Sequence, residues 1–268
     1  MEIRLDLHIH SEYSPDGRMR IEEIVEQAKK AGLNGVAVCD HDRVWTGGGI
    51  YNNNNGIGGE LSDFYIISGV EISTEYGHLL GWFVDKPIET RNFMEAVKAI
   101  HEQGGIAVLA HPFEHRKSDE KIKNIARFLD GVEVWNGRAE RKNLKANAMA
   151  EIFAEKYNLN RYAGSDAHVP REIGNGVTII EININKNNNI NKINKNNAPE
   201  MLNAIYTELL SGRTRIDGKR GRAADVAASQ FTKLKKSKKS QKLYAYWISC
   251  CKWAAFAVKC FLHDIFVK

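Results

Sequence analysis

Short apolar runs in this chain stop, again and again, at a histidine or a carboxylate. Asp6-Leu7-His8-Ile9-His10 closes the first run, Asp40-His41-Asp42 follows the second, and Gly69-Val70-Glu71 ends the third. His78 opens a further run, Ala110-His111-Pro112 ends another, and Gly164-Ser165-Asp166-Ala167-His168 follows the last. Imidazoles and carboxylates delivered by several strand ends build a metal site. One buried histidine is commonly a satisfied core residue. Six of nine histidines at strand ends, beside Asp16, Glu71 and Asp166, are better explained by cations. Residues two apart on a strand point the same way, so His8 faces with His10 and Asp166 with His168. His101, His115 and His263 fall outside the pattern and read as solvated or structural.

The runs alternate with helical periodicity. The spacing predicts strands over 3–10, 35–39, 64–72, 78–84, 106–110, 131–135, 161–164 and 177–182. It predicts helices over 21–31, 92–103, 122–129, 139–156 and 199–210, several of them stopped by glycine. Such alternation argues an α/β fold, a parallel sheet with helical crossovers. An open doubly wound sheet is the rival, but it rarely gathers ligands from so many strands. A TIM-like barrel places its chemistry at the C-terminal strand ends, where these clusters fall. Gly56, Gly58 and Gly59 are not a phosphate-binding loop, since no Gly-Lys-Ser/Thr follows. The Asn-Lys-Ile stretch over 183–197 reads as a flexible insertion.

The ordered set Asp6-Leu7-His8-Ile9-His10-Ser11, Asp16-Gly17, Asp40-His41-Asp42, Gly69-Val70-Glu71-Ile72, His78, Ala110-His111-Pro112 and Gly164-Ser165-Asp166-Ala167-His168 resembles the PHP (polymerase and histidinol phosphatase) family of metal-dependent phosphoesterases. The resemblance spans residues 1 to about 182. It implies a distorted (β/α)7 barrel holding two or three divalent ions, with Zn, Mn or Fe as candidates. The implied metal ligands are His8, His10, Asp16, His41, Glu71, His78, His111, Asp166 and His168. Asp16, His41, Asp166 and His168 are the candidate catalytic residues among them. Glu71 takes the bridging place, and Asp40 is either a partner that orients His41 or a turn residue. Cys39 stands where Thr is usual before Asp-His, and Pro15 interrupts the usual Ser-Asp-Gly.

Hydrolysis of a phosphate ester by water activated between the cations is the implied reaction. The substrate would be a small phosphorylated metabolite, a nucleotide or an oligonucleotide end. Asn136 and Arg138, after the strand at 131–135, and Arg171, after His168, are the candidate substrate contacts. An amidohydrolase-type carbon–nitrogen hydrolase shares His-x-His but commonly uses a metal-bridging lysine, and no lysine takes the place of Glu71. A non-catalytic module with a structural metal is a third reading, although one closed zinc site needs only four ligands.

The net charge of +5 is unevenly spread. Residues after Ile216 carry twelve Lys or Arg and three Asp, a balance of +9, which leaves the body near −4. The organisation expected is a metal-dependent domain over 1–215, a basic linker over 216–242 and an aromatic amphipathic helix over 243–268. That helix has three readings: packing on the barrel or on a second subunit of an oligomer, lying on an anionic membrane surface, or binding nucleic acid. Lys252 and Lys259 interrupt it, which argues against a membrane span. Cys39, Cys250, Cys251 and Cys260 form no disulfide framework or zinc-ribbon spacing, and the chain opens without an apolar leader. A reducing, cytoplasmic location is the expectation.

Overall fold

The apolar runs pair edge to edge into a sheet that curls back on itself. The computed structural model describes residues 1–51, 64–116, 118–141, 143–183 and 198–236. Its strands are β1 (Glu2–Ile9), β2 (Gly35–Val38), β3 (Gly49–Tyr51), β4 (Phe64–Thr74), β5 (Gly77–Trp82), β6 (Ile106–Leu109), β7 (Gly131–Asn136), β8 (Asn160–Gly164), β9 (Gly176–Glu181) and β10 (Thr214–Gly218). They run in the order β10-β9-β1-β2-β4-β5-β6-β7-β8, with β3 laid on β4. The sheet closes where β1 meets the segment after β8: Ile9 bridges Ala167 in parallel, with His10 N donating to Ala167 O at 2.9 Å and Asp166 N to His8 O at 2.8 Å. The result is a nearly closed, TIM-like α/β barrel.

The sheet is not all parallel. β1, β2 and β4 are parallel, as are β6, β7 and β8, but β5 runs against both its neighbours and β9 against β1. Only Glu75 and Tyr76 join β4 to β5. A connection that short closes a hairpin and cannot carry a parallel crossover.

Helices α1 (Ile21–Lys30), α2 (Phe93–Glu102) and α3 (Ala146–Tyr157) cover the outside. Ile24, Val25 and Ala28 of α1 pack on Val36, Val38 and Phe64, while Phe93, Val97 and Ile100 of α2 share a cluster with Phe153 of α3. Each such buried side chain contributes about 1.5–3 kcal/mol. Asn92 caps α2, its side chain accepting from Glu95 N at 3.0 Å. Two expected helices are shorter than their periodicity suggests. Residues 122–129 reduce to a 3-10 turn at Ala126–Phe128, and α3 starts at Ala146 rather than 139. Asn136 Oδ1 accepts from the Arg138 and Ala139 amides, and Asn143 Oδ1 accepts from Lys145 N. Side chains competing for backbone donors in this way hold the segment in turns.

The interior holds Leu5, Leu7, Tyr65, Ile67, Leu80, Trp82, Val108 and Tyr162. Helix α4 (Ala198–Leu210) plugs one mouth with Met201, Ile205 and Leu209. Asn160 and Tyr162, at the start of β8, donate to the carbonyls of Leu210 and Leu209. The opposite mouth, at the C-terminal ends of the parallel strands, is thereby left for chemistry.

Residues 216–236, expected as linker, are instead the end of β10 and the helix α5 (Ala223–Lys236). Ala223, Asp225, Ala227 and Ser229 of α5 are buried. These buried residues are small or polar, a pattern easily mistaken for linker composition. The expected aromatic helix over 243–268 and most of the insertion over 183–197 lie outside the described residues. Among the described residues, no helix is long and apolar enough to cross a membrane.

Closure of the barrel depends on Gly164. A Cβ there would stand 2.3 Å from His8 Cβ and 2.8 Å from Glu133 Oε1. Gly164→Ala should therefore destabilise the fold by about 1–3 kcal/mol, the usual cost of overpacking a filled site, as read by a lower denaturant midpoint at unchanged slope.

Candidate metal centre

A break in strand parity brings the first two histidines inward. Leu5 and Leu7 belong to the interior cluster, whereas Ile9 packs outside with Ile24 and Val25 of α1. The β1–β2 register shifts between Asp6 and Ile9. The irregularity turns His8 and His10 to the mouth of the barrel, as bulges beside functional sites commonly do.

Glu71, at 1% exposure, is the centre of what gathers there. Its Oε1 lies 2.7 Å from His78 Nδ1, 3.0 Å from His111 Nε2 and 3.6 Å from His8 Nε2. Its Oε2 lies 2.8 Å from His41 Nδ1 and 3.4 Å from His10 Nε2. Asp166 Oδ1 is 3.3 Å from His10 Nε2, and Asp16 Oδ1 is 3.1 Å from His168 Nε2. The nine residues expected from the sequence thus share one nest. Asp166 (φ 56°) and His111 (φ 26°) hold left-handed backbone there, the local strain that functional sites store.

Two atoms of the nest lack an aligned hydrogen bond in spite of close neighbours. Glu71 Oε2 and His78 Nδ1 are buried without an aligned hydrogen-bond partner. His8 Nε2 and His10 Nε2 stand 3.1 Å apart. Two ligand atoms bound to one cation at about 2.1 Å stand roughly 3.0–3.4 Å from each other. Donor atoms converge within 4.8 Å in four groups: His10, Asp16, His41 and His168; His8, His10 and Asp166; His8, His111 and Glu133; and His41, Glu71 and His78. A mixed imidazole and carboxylate set of this kind fits divalent transition metals.

Charge inside the nest is self-compensating. Burial works against the charged form of Glu71, but His78, His41 and His8 outweigh it and hold the carboxyl well below its usual range. Asp16 is likewise held below the usual range against burial, by hydrogen bonds from His168 and His41. Burial disfavours a charged His41, yet Glu71 and then Asp16 raise it to about 11. His111 rises to about 9, with the Glu71 hydrogen bond opposing burial. His10 goes the other way, lowered by burial and by His168 and His41.

A second layer holds the first, and the sequence reading missed most of it. Glu133 Oε1 lies 3.0 Å from His8 Nδ1, and its Oε2 accepts from His111 N at 2.9 Å and Asn136 Nδ2 at 2.9 Å. The signal was a lone acid in the apolar run Val132-Glu133-Val134. Glu172, with Oε2 accepting from His168 N at 2.9 Å, carried no comparable signal. Asp6 accepts from Ser165 N at 2.9 Å and Gly174 N at 2.8 Å, and burial pushes its carboxyl up to about 6. Asp40 does not orient His41; its oxygens accept from Ser11 N at 2.7 Å and Ser11 Oγ at 2.6 Å.

The expected substrate contacts are placed differently from one another. Asn136 is 1% exposed and braces Glu133 and the turn after β7. Arg138 is buried beside His168. Arg171 is exposed and extends towards Asp225 of α5, with Nε 3.9 Å from Oδ1, not towards the nest. The His111–Pro112 peptide is trans, with no cis bond among the described residues.

The PHP domain family matches residues 6–159, and a PHP-associated segment matches 145–205. The chain belongs to the PHP domain family. An uncharacterized protein of Methanocaldococcus jannaschii is 29% identical to this PHP domain protein over 193 residues, covering 69% of this chain and 73% of the relative. A probable histidinol-phosphatase of Thermotoga maritima is 26% identical over 211 residues, covering 65% of this chain and 88% of the relative. In fold, the chain is similar to a two-domain protein from Bacteroides vulgatus containing a predicted PHP-like metal-dependent phosphoesterase, with TM-score 0.58, 18% identity, and coverage of 90% of this chain and 73% of that one.

Metal-free PHP nests of this design hold protons that cations must displace. His41 and His111 are raised, so they are protonated at neutral pH before loading. Cation uptake should release protons, seen as buffer-dependent heats in calorimetry, and affinity should fall as pH falls. Glu133→Gln should weaken cation binding by about 10–100-fold through misoriented His8, read by chelator competition.

Proposed function

We propose that the chain hydrolyses phosphate esters with two or three divalent cations held by His8, His10, Asp16, His41, Glu71, His78, His111, Asp166 and His168. The observation that carries this reading is Glu71, set within 3.6 Å of five different imidazoles. Bound divalent cations supply Lewis acidity, lowering the pKa of water and offsetting phosphoryl charge. The protein's part is to fix the donor set and exclude stray protons. Glu71 spans the nest, Asp16 joins His41 to His168, and Asp166 joins His10 to His168. His78 and His41, with side chains 35% and 18% exposed, are the most open members, so the phosphoryl group enters from their side.

Neither Cys39 nor Ser11 is framed as a nucleophile. Cys39 is buried against the Leu7 carbonyl, and burial pushes its thiol up. Ser11 Oγ donates to Asp40. Water is the nucleophile of this reading, as hydrolysis requires.

The substrate class in this proposal is a small phosphorylated metabolite, a nucleotide or an oligonucleotide end. One relative is named a probable histidinol-phosphatase, and another, a 5'-3' exoribonuclease of Haemophilus influenzae, is 33% identical over 114 residues. That second match covers 40% of this chain and 39% of the relative. A panel should therefore hold both monoesters and oligonucleotide ends. Purified protein loaded with Mn or Zn should release phosphate or nucleotide from at least one of them. The double variant His8→Ala, His168→Ala should lose that activity. Turnover that survives in the double variant or in excess chelator would end this reading.

A further inference from the structure

Arg138 was read from the sequence as a substrate contact, but its surroundings give it another task. The side chain is 8% exposed and reaches three elements at once. Nη1 stands 2.6 Å from His168 Nδ1 and 3.9 Å from Asp166 Oδ1. Nε stands 3.1 Å from Glu172 Oε1, whose partner oxygen accepts from the His168 amide. Nη2 donates to Ser229 Oγ of α5 at 2.6 Å, and Ser229 Oγ in turn donates to Val226 O at 2.9 Å. Ser229 and Glu172 are both at 0% exposure.

We propose that Arg138 and Ser229 form a positioning pair that fixes the Asp166–His168 side of the nest, making α5 a working part of the site. The pair rests on the metal-dependent reading above. A guanidinium suits the task because its planar fork addresses several partners in fixed directions, whereas a lysine ammonium would reach one. Nη1 and Nη2 of Arg138 are already directed at His168 and Ser229, and Nε is paired by charge with Glu172. Glu172 fixes the backbone of His168, while Arg138 and the Asp166 carbonyl, 2.6 and 2.9 Å from the same Nδ1, bracket its ring. Ser229 keeps the fork from swinging, because its hydroxyl is tethered within its own helix. Asn136 sets the root of the side chain by accepting from Arg138 N at 2.9 Å.

The test uses the full chain with Arg138→Met, Arg138→Lys and Ser229→Ala. Cobalt(II) alone is the probe, with affinity read by chelator competition and ligand geometry by the visible absorption bands. Kinetics on the best phosphate ester from the panel separate kcat from KM. Outer-layer partners of metal ligands typically change affinity or activity by about 10–100-fold. Arg138→Met is expected to weaken cobalt binding on that scale, shift the bands and lower kcat with KM little changed. Ser229→Ala should move the same readouts in the same direction by several-fold, and Arg138→Lys should not restore them. Ser229→Ala leaves no buried charge unpaired, so it answers even if Arg138→Met does not fold. A raised KM with kcat and cobalt binding intact in the arginine variants would make Arg138 a substrate contact and overturn the proposal. Wild-type loading and kcat in Ser229→Ala would overturn the role of α5. A wild-type chain that takes up no cation would overturn the metal reading itself and this proposal with it, whereas normal loading in wild type and variants alike overturns the positioning pair alone.

Discussion

Glu71 is buried at 1% exposure in a mouth lined by imidazoles, and taking an isolated carboxylate out of water costs far more than any single hydrogen bond returns. The molecule answers this by surrounding the carboxylate with five rings, three of which, His8, His41 and His111, are driven towards their charged forms. A nest of opposed charges of this density is tolerable only with matched partners on every side. Divalent cations are the partners that the ligand chemistry fits, and the rest of the architecture serves to keep the donors convergent. Cations bound there would couple to folding, since donors that converge only in the folded frame bind them only in that state.

The frame meets that demand with small departures from regularity. The register shift in β1 turns His8 and His10 inward, and a second shift in β7 falls between Glu133 and Trp135. Both shifts lie on strands that carry acid or imidazole into the interior. Gly164 permits the backbone of β8 to approach His8, because a side chain there would occupy the space of His8 Cβ. Left-handed backbone at His111 and Asp166 aims two further donors that regular strand geometry would point elsewhere. Each device is a local cost accepted for convergence at one point.

α5 links this centre to the basic end of the chain. It places Ser229 on Arg138 and Asp225 near Arg171, so the segment after β10 is continuous with the metal domain and not a spacer beside it. The alanine-rich sequence Ala223-Ala224-Asp225-Val226-Ala227-Ala228 has little hydrophobic contrast, and the helix is tied in by polar contacts of Asp225 and Ser229. For that reason linker composition and a partly buried helix look alike in one dimension.

The sequence by itself pointed to the barrel and to the nine residues that converge at its mouth. Histidines and carboxylates at strand ends are readable because a strand end fixes a side chain's address to within a residue, and apolar alternation fixes which runs are strands. Tertiary structure alone decided the direction of β5, whose two-residue turn from β4 forces an antiparallel pairing within a nominally parallel barrel. It also decided that Asp40 holds Ser11 and not His41, and that Glu133 and Glu172 brace His8 and His168. Ser11 and Asp40 lie 29 residues apart and His8 and Glu133 lie 125 apart, while Glu172 is four residues from His168; in no case does a single acid give a sign of what will face it. Periodicity is a local property of the backbone, whereas the pairing of buried polar groups depends on which elements close over them.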